Sequence, residues 1–452
     1  MFMYMFFKEV VFLFEKTFRG GIHPGDNKKN SNKLPIENLK APKELIFPVS
    51  QHIGAPCEPV VSVGDEVKMG QLIAKARGFV SANIHSSVSG VVTAIKPHIH
   101  PNGTEVNSIF IENDGKDEPF EEEIPHHLKD MESREIIDAI QKAGIVGMGG
   151  ATFPTHVKLT PPEGKIIDTV IVNGAECEPY LTSDHRVLLE DTFDVLYGLA
   201  SAMKALGVKR GFVAVENNKK DAIEALKQMV EKARVRNVKI EPLKTKYPQG
   251  SEKQLIYAVT GREVPSGKLP ADAGVVVINV DTANAIAKAV RFDRPLMTRI
   301  VTVCGDAVKN HKNYRVRIGT PVKKLIEEAG GFEKEPSKII LGGPMMGTAI
   351  FSTDVPIIKG TGAVLCMTDN ALSDLPATKC LRCGRCVSVC PMSLQPYLIA
   401  GYSEKFNPDM LKSNDIMDCV ECGACSYICP ARYTPLQHIR TGKAKLRRLG
   451  GK

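Results

Sequence analysis

Eight of the twelve cysteines lie in two copies of one spacing, Cys-x2-Cys-x2-Cys-x3-Cys-Pro. They read KCLRCGRCVSVCP at 379–391 and DCVECGACSYICP at 418–430. Thiolate sulfur is soft and suits iron held tetrahedrally in a cluster. Zinc sites instead use separated cysteine pairs, without a third Cys at the same x2 step, and disulfides suit the pattern less still. Two complete runs in one chain describe wiring for single electrons.

In bacterial two-cluster ferredoxins the fourth Cys of each run ligates the other cluster. One 4Fe-4S cluster is therefore expected on Cys380, Cys383, Cys386 and Cys429. The other is expected on Cys419, Cys422, Cys425 and Cys390. The intervening SLQPYLIAGYSEKFNPDMLKSNDIM is long and helix-prone, which points to a helical two-cluster module rather than the compact ferredoxin.

Clusters pass electrons singly, whereas a hydride carrier delivers a pair, and flavin converts one into the other. A flavin or dinucleotide site is thus expected upstream. One candidate is GIVGMGGATFPTHVKL, where Gly144, Gly147, Gly149 and Gly150 let backbone N–H groups approach phosphate. It lacks the G-x-G-x-x-G order and follows a helix rather than a strand, and such loops are often plain turns. The other is VIVNGAECEPYLTSDHR, leaving the carboxyl end of a strand, where open α/β sheets bind ligands. Asn173, Glu176, Glu178 and Asp184 crowd there. Acidic clusters are usually solvated faces, but this one follows a buried-type strand. Hydride transfer needs position and electrostatics rather than an acid or base, so no catalytic nucleophile or base is named.

The elements that must carry these residues alternate. SREIIDAIQKAG reads as a helix with Ser133 as N-cap and Gly144 as stop. IIDTVIV, GFVAVE, NVKIEPL and GVVVINV read as strands. TFDVLYGLASAMKALG, KKDAIEALKQMVEKA and TANAIAKAV read as helices between or after them. This alternation predicts a largely parallel sheet. Before it, GAPCEPVVSVGDEVKMGQLIAKA and ANIHSSVSGVVTAI are β-rich and punctuated by Gly and Asp. They resemble the two halves of a lipoyl/biotinyl-type barrel-sandwich domain. The intervening RGFVSANIH has no Lys, and Lys75 sits inside a strand pattern, so the resemblance is to the fold and not to a swinging arm. From Pro295 to Phe351, strands surround one short amphipathic helix in a β-grasp-like unit, with a spacer or docking role.

Together the Gly loop and the NGAECEP segment resemble the flavin- and NADH-binding subunit of respiratory complex I. The resemblance is closest to the C-subunit family of Rnf electron-transport complexes and covers nearly the whole chain from Lys16, including the opening KTFRGGIHP and the order of units. It implies FMN at GMGGATFPT, with Gly147, Gly149, Gly150 and Lys158 around the phosphate. Asn173 would bond the isoalloxazine or ribityl group, and Glu176 and Glu178 would orient the nicotinamide. Asn279 and Thr282, in NVDTAN, would lie near the flavin. Complex I subunits have Arg where this chain has Met148, which removes a fixed positive charge from the loop.

The expected organisation is a multidomain α/β chain. It has an extension (1–20), a barrel-sandwich hybrid domain (21–125) and a Rossmann-like FMN/NADH domain (126–294). A β-grasp domain (295–352) and a helical two-cluster 4Fe-4S domain (366–452) follow. The cofactors would be two 4Fe-4S clusters and FMN, with NAD(H) as substrate. The partners would be the other subunits of the membrane Rnf complex, with ferredoxin as redox partner of the whole. The absence of Trp and the few aromatics argue against nucleic-acid platforms. The net charge of +8 is partly in the closing RTGKAKLRRLGGK, a solvated tail or a patch for an acidic protein or anionic lipid. Dense thiols without a secretory signal suggest a reducing compartment. The apolar start MFMYMFFKEVVFLF is interrupted by Lys8 and Glu9 and is too short to span a bilayer. A peripheral place on the cytoplasmic side of the cell membrane is expected. Two other readings stay open: a non-catalytic iron–sulfur wiring subunit, and a soluble flavin subunit of a hydrogenase or formate dehydrogenase.

Overall fold

The computed structural model describes residues 15–369 and 376–450. The apolar opening stretch at 1–14 lies outside them. Among the described residues no helix is long and apolar enough to cross a membrane.

The alternating region forms a four-stranded, wholly parallel sheet in the order Val238–Leu243, Gly211–Glu216, Thr169–Gly174, Val275–Asn279. Val170, Ile171, Val172, Val213, Val215 and Val277 are all buried. Strands covered on both faces read as unbroken apolar runs, as these do. The helices Thr192–Leu206 and Val280–Phe292 pack against each other on one face. The first helix, Ser133–Lys142, starts one residue earlier than its Ser suggested. Glu132 is the N-cap and its N–H donates to Glu135 Oε2 at 2.6 Å. Ser133 Oγ instead donates to the Lys204 carbonyl. Two further helices, Ser183–Glu190 and Glu252–Thr260, have too few apolar positions in too short a span to stand out in the sequence.

The N-terminal β region is two facing sheets. One has the order Glu44–Pro48, Glu105–Asn113, Gly90–Ile99, Glu66–Val67, and the other Glu58–Pro59, Leu72–Lys75, Ile84–His85. Leu45, Phe47, Val67, Ile73, Ile84, Val92, Ile109 and Ile111 fill the space between them. Residues 15–38 make their β-pairings outside this sandwich. Lys16 and Ile22 bridge to Leu243 and Tyr247, beside the parallel sheet. Ile36–Asn38 then pairs with Lys312–Arg317.

That pairing belongs to a six-stranded mixed sheet: Ile36–Asn38, Lys312–Arg317, Thr298–Cys304, Ala363–Met367, Lys338–Leu341, Thr348–Ile350. The helix Val322–Glu328 buries Val322, Leu325 and Ile326 in its core. The sheet therefore draws on two segments outside 295–352. Cys366, one of the four cysteines outside the two runs, is buried in one of its strands.

The last unit is helical. Pro396–Glu404 packs on Pro435–Leu449 around Ile399, Leu411, Ile416, Ile439 and Leu446. The single-turn helices Arg385–Ser388 and Ala424–Tyr427 carry the third Cys of each run.

Candidate functional site

In the parallel sheet the chain adds strands to one side of Thr169–Gly174 and then returns to add Val275–Asn279 on the other. The two strands that flank this reversal end in Asn173 and Asn279, which are partners in register. A cleft outside the carboxyl ends of such strands is where open α/β sheets hold ligands. Sequence-distant candidates are therefore brought together by topology.

Asn279 caps the helix Val280–Phe292: its Oδ1 accepts from the Asp281 N–H at 2.9 Å. Its Nδ2 donates to Asp184 Oδ2 at 2.7 Å. Asn173 donates to the Gly250 carbonyl at 2.8 Å and accepts from the Ala175 N–H at 3.1 Å. Thr282 Oγ1 accepts the Met148 N–H at 2.8 Å. These three side chains thus build the walls of the cleft and hold the Gly loop in place.

The Gly loop itself is pinned at its ends. Gly147 N–H donates to the Phe153 carbonyl at 2.8 Å and Thr152 N–H to the Gly147 carbonyl at 3.0 Å. Gly149, Gly150 and Ala151 are exposed, and among the described residues their N–H groups have no partner. Successive unengaged amides make an anion-binding concavity. A Cβ on Gly150 would meet nothing within 4 Å, so the space above the loop is open. The FMN phosphate fits this cradle by its donor set.

Charge beneath the loop comes from a residue that carries no signal in the sequence. Arg299, on the first long strand of the mixed sheet, is buried. It donates to the Met148 carbonyl at 3.0 Å and pairs with Asp281. A cation therefore sits under the loop despite Met148. Lys158 ion-pairs with Glu252 at 3.0 Å and donates to the Val277 carbonyl at 3.1 Å.

The acidic segment is tightly held. Glu176 is buried; its Oε1 accepts the Asp184 N–H at 2.9 Å, and its Oε2 lies 3.6 Å from the buried Lys28 ammonium. Lys28 also donates to the Glu176 carbonyl at 2.8 Å. Burial, then the neighbouring Glu176 charge, raises the Asp184 carboxyl. Glu178 Oε2 accepts the Met345 N–H at 3.0 Å, from the loop after Lys338–Leu341. Burial raises its carboxyl, against the Met345 and Met346 amides. Its Oε1 is buried without a hydrogen-bond partner, as is Oε2 of Glu176. Unsatisfied buried acceptors are costly and suit a ligand that brings donors.

The cysteines surround two cavities. The lining of one includes Cys380, Cys383, Cys386 and Cys429. The lining of the other includes Cys390, Cys419, Cys422 and Cys425. The fourth Cys of each run lies on the other run's cavity, and a set of four thiols suits iron–sulfur chemistry. The first cavity is outward, with Cys380 and Cys383 exposed. The second is inward: Cys422 and Cys425 are buried, and Tyr247 Oη donates to the Cys422 carbonyl at 2.7 Å. Tyr247 also lies beside Glu178, and burial together with that carboxylate keeps its phenol protonated.

An FMN-type cleft joined to a pair of four-cysteine cavities defines a flavin- and iron–sulfur-dependent electron-transfer protein. Family models match along the chain in order: RnfC barrel sandwich hybrid domain at 16–116, Nuo51 FMN-binding domain at 140–288, SLBB domain at 300–349 and 4Fe-4S dicluster domain at 375–439. The C subunit of the Na+-translocating ferredoxin:NAD+ oxidoreductase complex of Acetobacterium woodii is 50% identical over 431 residues, 95% of this chain and 97% of that protein. The proton-translocating counterpart of Clostridium ljungdahlii is 51% identical over 438 residues, 96% and 95% of the two chains. The C subunit of the ion-translocating oxidoreductase complex of Rhodobacter capsulatus is 45% identical over 384 residues, 84% and 74% of the two chains. The chain belongs to the C-subunit family of ion-translocating ferredoxin:NAD+ oxidoreductase (Rnf) complexes. A solved NAD+-reducing NiFe-hydrogenase in its H2-reduced state shares the fold, with a TM-score of 0.52 and 17% identity over 72% of this chain and 68% of that one.

Proposed function

We propose that this chain is the NAD(H)-reactive subunit of such a complex. It moves electrons between NAD(H) and the complex's other subunits by way of FMN and two 4Fe-4S clusters. When bound, FMN exchanges a hydride pair for single electrons and the clusters carry those electrons one at a time. The observation that carries this reading is a shared wall. The segment that leaves Asn173 also supplies Glu178, beside Tyr247, whose hydroxyl meets the Cys422 carbonyl.

The geometry supports the following residue roles. Gly147 shapes the loop, and the free amides around Gly149 and Gly150 receive the FMN phosphate, with Arg299 below and Lys158 at the flank. Thr282, Asn279 and Asn173 position that cradle, their polar atoms being largely engaged within the protein. Glu176 and Glu178 offer their unsatisfied carboxylate oxygens to the carboxamide and ribose donors of the nicotinamide half. Cys380, Cys383, Cys386 and Cys429 hold the outer cluster; Cys390, Cys419, Cys422 and Cys425 hold the inner one.

At finer grain the units read as a lipoyl-like barrel sandwich, a Rossmann-like sheet, a β-grasp unit and a helical two-cluster module. Their boundaries lie near 21–125, 126–294, 295–352 and 366–452, with 36–38 and 363–367 lent to the mixed sheet of the third unit. The chain docks peripherally on the cytoplasmic face of the membrane, where NAD(H) is found, and ferredoxin is the redox partner of the whole complex. Anaerobic NADH reduction followed by absorbance and EPR tests the reading. Bleaching of flavin together with both cluster signals supports it; clusters that NADH leaves oxidised, in a protein without FMN, would mean a passive wiring subunit.

A further inference from the structure

The two cysteine cavities differ in how the rest of the chain grips them. Around the inner one, donors from two segments outside the cysteine module, and one from its last helix, take up backbone carbonyls at or beside the ligand positions. Gly21 N–H donates to the Val389 carbonyl, just before Cys390, at 2.9 Å. Tyr247 Oη donates to the Cys422 carbonyl at 2.7 Å. Lys443 Nζ, itself buried, donates to the Cys419 carbonyl at 2.6 Å. Gln254 Nε2 reaches the carbonyl of Pro391, next to Cys390, at 3.2 Å. Around the outer cavity the corresponding bonds stay within the cysteine module: Thr378 N–H to the Ala431 carbonyl at 2.9 Å, and Arg382 N–H to Cys380 Sγ at 3.4 Å.

The segment Phe18–Ile22 is the least expected of these grips. Ile22 and Tyr247 exchange backbone bonds, N–H to carbonyl at 2.8 Å and back at 2.9 Å. Lys246 Nζ stands 4.1 Å from the centre of the Phe18 ring and donates to the Phe18 carbonyl at 2.6 Å. Gly20 and Gly21 both have positive φ, +81° and +82°, which side chains disfavour. A Cβ on Gly20 would come within 2.8 Å of the Cys390 carbonyl oxygen, and one on Gly21 within 2.7 Å of the Tyr247 carbonyl oxygen. The strap can pass between the α/β unit and Cys390 only as Gly-Gly.

We propose that the Phe18–Ile22 strap and Tyr247 form a clamp that positions the inner cluster, held by Cys390, Cys419, Cys422 and Cys425, and sets its redox properties separately from those of the outer cluster. The inference rests on the cluster assignment above. Its physical basis is that cluster potentials respond to hydrogen bonding and to solvent exposure, and that groups behind the ligands orient them. Tyr247 and Gly20 are positioning residues here: each acts on the cluster through a Cys backbone.

The test uses full-length, anaerobically prepared protein with redox-titrated EPR, iron content and FMN content read in parallel. Tyr247→Phe keeps the ring and removes only the hydroxyl. It should shift the midpoint potential of one cluster and leave the other, with FMN content, unchanged. Gly20→Val should go further and lose that same cluster, about half of the iron if each cavity holds one 4Fe-4S cluster, while the other signal persists. Cys390→Ala identifies the affected signal as the inner one. If Tyr247→Phe leaves both potentials at the wild-type values, or shifts both equally, the clamp is overturned. Wild-type protein with fewer than two clusters would overturn the assignment on which it stands. Should Gly20→Val fail to fold, the Tyr247→Phe titration decides alone.

Discussion

At the scale of single residues, the site separates side chains that shape the cleft from those that face it. Thr282 shapes: Thr282→Val keeps the volume but leaves the Met148 N–H without its acceptor. An orphaned buried donor costs about 1–3 kcal/mol, here borne by the loop that cradles FMN. The variant should lose FMN on gel filtration while both clusters stay assembled, as flavin fluorescence and iron analysis would show. Glu178 faces. Glu178→Gln keeps size and reach but removes charge and acceptor capacity. A hydrogen bond to a charged group is worth about 1.5–3 kcal/mol, or roughly ten- to a hundredfold in rate. NADH-driven ferricyanide reduction should fall by that factor with FMN and iron unchanged; full activity would remove Glu178 from the nicotinamide site. Asp184 gives a signed pH effect. Its folded pKa is raised, to about 7 from 3.8, so the folded state holds its proton more tightly than the unfolded chain. Stability from this group is full below about 4 and is lost as pH rises towards 7. Asp184→Asn should flatten that decline in a melting-temperature series. Glu176, Glu178 and Asp184 were legible because they follow a buried strand. Arg299 was not: it approaches the loop from 151 positions away, and no local pattern records such a meeting.

At the scale of elements, the strands of the parallel sheet were the most legible, because burial on both faces demands an unbroken apolar run. The short helices Ser183–Glu190 and Glu252–Thr260 were not, since tertiary contacts rather than periodicity hold them. The barrel sandwich docks beside the Gly loop: the Phe79 carbonyl meets His156 Nε2 at 3.1 Å, and the Ile53 N–H meets the Thr152 carbonyl at 3.3 Å. Lys359 ties the two units together through the Asn83 and Gly144 carbonyls. Inside the sandwich, His52 accepts the Ala82 N–H at 3.1 Å and is therefore neutral there. Burial, with Lys359 second, lowers His52 to about 4 and His85 to about 3, from 6.5. These groups contribute stability above pH 6.5 that is lost as pH falls through those values. Thermal unfolding should weaken below pH 6.5, and His52→Gln should make the acid slope shallower. An unchanged slope would mean that other groups govern acid unfolding.

At the scale of the whole molecule, the two-cluster module was legible in the cysteine runs, because their spacing is imposed by the cluster and not by the fold. What no run could record is the asymmetry between the cavities. The inner one is enclosed by the α/β unit, the Phe18–Ile22 strap and Gly423 near Met345; the outer one opens to solvent at Cys380 and Cys383. The inner cavity is therefore the one that touches the α/β unit carrying the cleft, and the outer one is the more exposed. Cys390→Ala and Cys380→Ala should damage different clusters by EPR, although both residues belong to the same run.

One chain thus joins a flavin cleft to two clusters and so links NADH to single-electron carriers. Rapid-freeze EPR of anaerobically purified full-length protein mixed with NADH, with FMN, iron and sulfide assayed on the same sample, puts this to the proof. Roughly one FMN and about eight iron atoms per chain are expected, with the inner cluster reduced before the outer. Flavin-free protein, or clusters that stay oxidised while NADH is in excess, would contradict it.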